Sequence, residues 1–171
     1  MSGVPDYVEP VVGWRVWFTR EDQGRARLRS LFHDLCWPVR EPLTAECLRR
    51  RLPLRRRDHP APAASCQCGI YAASLDRVGS YLEPGWPRER SDPVVGRVSL
   101  WGTVVECEQG WRASFAYPER LYVLMFDAMG RESRAARVAL DLTEYGVPVD
   151  LLELDVAGDI IAELTAAAAA A

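Results

Sequence analysis

Four residues with the chemistry of zinc ligands lie in one short, proline-broken stretch of the chain. They are Cys47, His59, Cys66 and Cys68, with the spacing Cys-x11-His-x6-Cys-x-Cys. Zinc binds thiolates and imidazole tetrahedrally, and three cysteines with one histidine form a common structural set. The pattern predicts a structural zinc site that ties a loop to the rest of the chain.

The last two cysteines are separated by a single residue, which places a demand on the backbone. In an extended strand, side chains two positions apart point the same way but lie about 7 Å apart. A tight turn is therefore needed to bring Cys66 and Cys68 to one ion. Gly69 follows at once and permits backbone conformations that other residues avoid.

Other interpretations of the cysteines stay open. The four could be unrelated cysteines with a surface histidine, or Cys66 and Cys68 could form a redox pair without a metal. Cys36 and His33 are the substitutes if one ligand is wrong, and Cys107, within an apolar run, is typical of a packed core thiol. Five cysteines favour metal ligation or buried thiols over disulfides if the protein is cytosolic.

The expected compartment is the cytoplasm. The N-terminus has no basic segment followed by an apolar stretch, so no secretory signal is predicted. No apolar run approaches the roughly 18–20 residues that a membrane span needs, so no membrane partner is expected.

The elements that must position the ligands are predicted to be mainly strands, because β-branched and aromatic residues recur between turn signals. The predicted strands cover residues 11–19, 27–39, 94–107, 111–117 and 121–126, with Pro118 ending a hairpin whose turn is 108–110. Residues 70–75 are expected to form a brief strand or a turn. A short helix with Thr44 as its N-cap is expected to carry Cys47. Further helices are predicted at 132–142 and from 157 onward, and the type of 147–156 stays open.

These elements predict an α+β protein with two parts. Residues 1–128 would form a β-rich small barrel or sandwich body with the zinc loop. Residues 129–171 would form a helical C-terminal extension.

Six tryptophans are many for this length, and most are expected in the core. A subset could line a binding surface that stacks a base or holds a cation. The ligand-binding candidates are Trp37 and Trp86, which lie near loops, together with Trp101 and Trp111.

An arginine cluster surrounds the predicted site: Arg49, Arg50, Arg51, Arg55, Arg56 and Arg57. It could contact nucleic-acid phosphates, or it could be a solvated face whose charge favours nearby thiolates. The net charge of −3 argues against a general DNA-binding protein.

Several short motifs resemble those of a bacterial protein family, frequent in actinobacteria, to which no activity is assigned. They are Gly-Trp-Arg at 13–15 and 110–112, His-Pro-Ala-Pro at 59–62, Cys-Gln-Cys-Gly-Ile-Tyr-Ala at 66–72, Leu-Trp-Gly at 100–102 and Ala-Tyr-Pro at 116–118. The resemblance spans roughly residues 11–123 and implies a metal site and a domain extent. The repeated Gly-Trp-Arg also suggests two related β lobes, although a composition rich in Val, Gly and Arg explains it equally.

Three functional hypotheses follow. The leading one is a non-enzymatic, zinc-stabilised β-rich module that recognises a protein partner or a small ligand, since the ligand set is complete and common catalytic motifs such as His-Glu-x-x-His are missing. The alternatives are a nucleic-acid reader using the arginine cluster and an exposed tryptophan, and an enzyme with an open zinc site.

Overall fold

The structure, a computed structural model, describes residues 9–32, 35–47, 59–82, 92–126, 132–154 and 159–170. The described residues form one seven-stranded sheet and two α-helices. The strands are β1 (Val11–Asp22), β2 (Arg25–Ser30), β3 (Leu43–Thr44), β4 (Ile70–Ala73), β5 (Pro93–Cys107), β6 (Gly110–Phe126) and β7 (Val149–Leu154); the α-helices are α1 (Glu132–Leu142) and α2 (Ile160–Ala169). Short 3-10 helices cover Leu75–Tyr81 and Thr143–Tyr145.

A long antiparallel hairpin of β5 and β6 is the centre of the sheet and confirms the predicted hairpin. The prediction that Pro118 ends it is wrong, because β6 continues through Pro118 to Phe126. Proline cannot donate a ladder hydrogen bond, and Pro118 pairs with Val98 at a register shift, where one such bond is dispensable. The two strands predicted at 111–117 and 121–126 are therefore one strand.

Four strands are joined in a closed ring of pairings: β1 pairs with β5, β5 with β6, β6 with β4, and β4 with β1. The short strand β4 closes the ring, between the two Gly-Trp-Arg motifs. A Cβ atom at Gly13 would lie 2.7 Å from Cβ of Ala72, and one at Gly110 would collide with the Ala72 carbonyl oxygen. The repeated motif thus supplies a glycine on each side where neighbouring strands approach β4 most closely.

Helices cover the sheet on two faces, which confirms the α+β, β-rich class. The first hydrophobic cluster includes Trp17, Leu28, Trp37, Leu100, Leu121 and Val123, with Ala135, Val138 and Leu142 of α1. The second includes Val16, Val95, Tyr122 and Leu124, with Val78 of the first 3-10 helix and Leu164 of α2. Residues 121–124 of β6 alternate between the clusters, as the period of two in a strand requires.

The C-terminal region adds to the same sheet. The helix predicted at 132–142 is confirmed as α1. Residues 147–156, for which the sequence predicted no type, contain the strand β7. This strand pairs in parallel with β6 from Leu121↔Val149 to Phe126↔Leu154. The division into residues 1–128 and 129–171 stays a prediction.

Two local predictions before the site are wrong. Residues 43–44 form the strand β3 and not the start of a helix, because they pair with Phe115 and Ala116 of β6. This pairing with a distant strand outweighs the local helix signal at Thr44. The strand predicted over 27–39 is shorter: β2 ends at Ser30, and a single bridge joins Arg29 to Cys36.

The Tyr145 hydroxyl lies between the backbones of Leu28 in β2 and Trp37, where it replaces one backbone hydrogen bond. Tyr145 accepts a hydrogen bond from the Leu28 N–H at 3.1 Å and donates one to the Trp37 carbonyl at 2.9 Å. Burial raises the pKa of Tyr145 to about 12. The hydroxyl thus links the 3-10 helix that follows α1 to β2 and to the segment that carries Trp37.

None of the helices in the described ranges is long and apolar enough to cross a bilayer.

Candidate metal centre

The four predicted ligands come together in the structure. One ligand atom from each of Cys47, His59, Cys66 and Cys68 lies within 4.8 Å of the others. Cys47 and Cys66 are buried, and His59 and Cys68 are partly buried. A side-chain cluster of this kind, withdrawn from solvent, is close enough to bind a metal ion.

The distance between the two buried cysteine sulfurs suits tetrahedral coordination of one ion. Zinc–sulfur bonds of about 2.3 Å at tetrahedral angles place two thiolate sulfurs about 3.8 Å apart. The Sγ atoms of Cys47 and Cys66 are separated by 3.8 Å. The imidazole of His59 lies beside the third thiol, with its Nδ1 3.9 Å from Sγ of Cys68. Cys47 and Cys66 are therefore already at the spacing of two ligands of one ion.

The two ring nitrogens of His59 differ in their hydrogen bonds. Its Nδ1 lies 2.9 Å from the carbonyl oxygen of Pro60, whereas its Nε2 is buried and has no hydrogen-bond partner among the described residues. A neutral imidazole donates from one nitrogen and accepts at the other. Donation from Nδ1 to Pro60 leaves Nε2 free for a metal, the arrangement in which a ligating histidine is held by a backbone carbonyl. The donor set fits a zinc ion.

Ser114 of β6 forms hydrogen bonds with both segments that carry the ligands, which are the two arms of the site: the segment before Cys47 and the segment after His59. The N–H of Ala45, two residues before Cys47, donates to the Ser114 carbonyl at 2.7 Å. The Ser114 hydroxyl donates to the carbonyl of Ala61 at 2.9 Å. One residue thus contacts the segment before the first ligand and the segment after His59.

A tight turn over residues 63–66 precedes the Cys-x-Cys segment, and the sulfurs of Cys66 and Cys68 lie within 4.8 Å of each other. The Cys66 N–H donates to the carbonyl of Ala63 at 3.0 Å. Gly69 has φ +125°, a conformation that favours glycine, and a Cβ there would lie 3.1 Å from Cβ of Pro62. The turn is therefore both closed by a hydrogen bond and packed.

The pKa values of the Cys66 and Cys68 thiols shift in opposite directions. The Cys68 backbone N–H holds the pKa of the Cys66 thiol down at about 7. Burial raises the pKa of the Cys68 thiol. Since the thiolate is the form that binds metal, the hydrogen bond from the Cys68 N–H favours the metal-binding form of Cys66.

Arg112 belongs to the site, and sequence reasoning did not single it out. It is 7% exposed, and its Nη1 donates to the carbonyl oxygens of Cys66 and of Cys68, the latter at 3.1 Å. The sequence feature that could have identified Arg112 is its place in the repeated Gly-Trp-Arg motif, between the apolar residues Trp111 and Ala113.

Three of the four candidate ligand-binding tryptophans lie in the described part of the chain. Trp37 is 1% exposed, packs edge-on against Trp17 and donates from Nε1 to Ser30 Oγ at 2.9 Å, so it lies in the core. Trp101 is partly buried and stacks on Phe115, and Trp111 packs against the first cluster. Trp86 lies outside the described residues.

The remaining candidates lie outside the described residues or outside the ligand group. Arg49, Arg50, Arg51, Arg55, Arg56, Arg57 and His33 lie outside the described residues. Cys36 and Cys107, both partly buried, are not members of the ligand group.

Comparisons of the chain with family models, with curated proteins and with solved structures found no match. The geometry of Cys47, His59, Cys66 and Cys68 is therefore the basis for a proposed function.

Proposed function

We propose that this protein is a non-enzymatic, zinc-stabilised β-rich module that recognises a protein partner. The observation that carries the proposal is the clustering of three thiols and one imidazole within 4.8 Å, with the buried His59 Nε2 unpartnered among the described residues. A bound divalent ion would satisfy that nitrogen and cross-link the two arms that meet on β6.

The composition of the ligand group supports a structural role. Catalytic zinc sites keep one position open for water or substrate, whereas structural sites are closed by four protein ligands. Cys47, His59, Cys66 and Cys68 supply four, and the group contains no carboxylate. The alternative of an enzyme with an open zinc site is therefore less well supported.

The surface beside the site supports an interaction role. Tyr71 on β4 is 43% exposed, and its hydroxyl donates to the carbonyl of Gln67, the residue between Cys66 and Cys68, at 2.7 Å. The ring is thus both accessible and fixed to the metal-binding turn. Fixed, amphipathic aromatic rings are favoured at protein–protein interfaces because little side-chain entropy is lost on binding.

Elemental analysis of the purified protein tests the metal half of the proposal. We expect one zinc per chain in the wild type and in Cys107→Ser, and loss of the metal in Cys66→Ser. A metal-free wild type prepared with zinc present throughout would contradict the site.

The interaction half is tested on the intact, metal-loaded chain. We expect Tyr71→Ala to keep its zinc and its melting temperature but to lose a protein that co-migrates with the wild type in gel filtration. Thr44→Ala, also exposed but on β3, is the matched control. Turnover of a substrate that depends on the metal ligands would contradict a non-enzymatic role.

A further inference from the structure

We propose that Arg112 is a positioning residue of the metal centre and its counter-charge. This inference rests on the proposed zinc site and assigns a role to a residue outside the ligand set. One guanidinium would both hold the Cys-x-Cys turn in its metal-binding conformation and balance the charge of the loaded site.

The positioning role follows from the hydrogen bonds of one nitrogen. Nη1 of Arg112 donates to the carbonyl of Cys66 and to that of Cys68. These carbonyls lie on either side of Gln67, so the guanidinium fixes the backbone at both cysteines. A Cβ at Gly69 would lie 3.2 Å from Cβ of Arg112, which shows how closely the turn packs on β6. Loss of this contact removes two hydrogen bonds that oppose extension of the segment, and in an extended segment the two sulfurs lie about 7 Å apart.

The counter-charge role follows from burial. Arg112 is 7% exposed, and within the described residues no carboxylate lies at ion-pair distance from it. Burial of a charge without an opposite charge is unfavourable. Three thiolates and a neutral imidazole around a divalent ion carry a formal charge of −1. The loaded centre would therefore supply an anion that no described carboxylate supplies to this buried cation.

Arg15 provides a natural control, because it occupies the same place in the other Gly-Trp-Arg motif. Its guanidinium donates to the carbonyl of Tyr71 in β4 and to Ser30 Oγ, and it lies 5.2 Å from the centre of the Trp37 ring. Within the described part of the chain it forms no hydrogen bond with a ligand residue. The two arginines thus contact β4 or its entry from opposite sides, but only Arg112 holds the cysteine backbone.

Cobalt titration of the full chain tests the role. Co²⁺ bound by thiolates gives charge-transfer absorption, and competition with a chelator gives its affinity. We expect Arg112→Gln to weaken Co²⁺ binding by about 10- to 100-fold, the effect typical of residues that orient metal ligands. Arg112→Lys keeps the charge without the planar fork, so we expect an intermediate loss. Arg15→Gln should lower the melting temperature and leave the Co²⁺ affinity unchanged.

The outcomes separate this inference from the zinc site itself. A wild type that shows no thiolate-to-cobalt absorption contradicts both. Wild-type binding with equal affinity in Arg112→Gln overturns the role of Arg112 alone, as does an equal loss of affinity in Arg112→Gln and Arg15→Gln. If circular dichroism shows that Arg112→Gln is unfolded, Arg112→Lys decides: weakened binding supports the role, and wild-type affinity overturns it.

Discussion

The Sγ atoms of Cys47 and Cys66 lie 3.8 Å apart, although the two residues are 19 positions apart in the chain. They reach each other because both arms of the site are attached to β6, one by the pairing of β3 and the other through Ser114 and Arg112. The distance between these sulfurs suits a shared metal ion, and several measurable properties depend on it.

The reactivity of the cysteines should divide them into two groups. In the zinc-loaded protein we expect Cys47, Cys66 and Cys68 to resist alkylation by iodoacetamide, because bound thiolates are unavailable as nucleophiles. A chelator should expose all three. Cys36 and Cys107 are partly buried outside the ligand group, so their labelling should be the same in both states. Peptide mass spectrometry distinguishes the groups, and protection of Cys36 in place of Cys68 would show a different ligand set.

Removal of the histidine ligand should abolish the effect of metal on stability. A ligand at about 100 times its dissociation constant stabilises the folded state by about 2.7 kcal/mol. We expect wild-type unfolding to respond to added zinc by this order, and His59→Ala to respond far less because Nε2 is missing. Thermal unfolding with zinc and with chelator measures the difference. Cys107→Ser should respond like the wild type, and a full zinc response in His59→Ala would exclude the histidine as a ligand.

Tyr145 should make stability fall at alkaline pH. Its pKa is about 12 in the folded protein and about 10 in an unfolded chain. The folded state therefore holds the phenol proton more tightly, so this contribution is complete below pH of about 10 and is lost as pH rises towards about 12. In Tyr145→Phe the fall in stability over that window should be shallower. A chemical denaturation series across these pH values is the measurement, and an unchanged slope would contradict it.

The same substitution should also destabilise the protein at neutral pH. The buried N–H of Leu28 loses its acceptor in Tyr145→Phe. An unsatisfied buried backbone group costs about 1–3 kcal/mol. Denaturant unfolding at pH 7 checks this loss, which should be absent if water replaces the hydroxyl without cost.

Two glycine substitutions should differ sharply in effect. In Gly13→Ala the added methyl would meet Cβ of Ala72 at 2.7 Å, so β1 and β4 must separate. Overpacking of this kind costs about 1–3 kcal/mol. Gly79→Ala has no heavy atom within 4 Å of the new Cβ and is the matched control. Equal unfolding midpoints for the two variants would show that β1 and β4 do not approach as closely as described.

Local sequence signals were sufficient for several features. The residue types and spacing of Cys47, His59, Cys66 and Cys68 predicted the ligand group, since thiols and imidazoles concentrated in a short segment have few other uses together. Alternating apolar residues around the turn before Gly110 predicted the β5–β6 hairpin. Helical composition predicted α1. Each of these signals lies within a short stretch of the chain.

Other features were decided only when distant segments met. Leu43 and Thr44 form a strand because they pair with the backbone of β6. Pro118 lies within β6 because it sits at a register shift, where the hydrogen bond that proline cannot donate is not required. The burial of Trp37 depends on packing against Trp17 from β1. Arg112 holds the carbonyls of Cys66 and Cys68 across 46 and 44 positions of chain. The sequence by itself determined which atoms can bind a metal, and the tertiary structure decided what holds them, because hydrogen bonds between remote strands leave no periodic pattern in the chain.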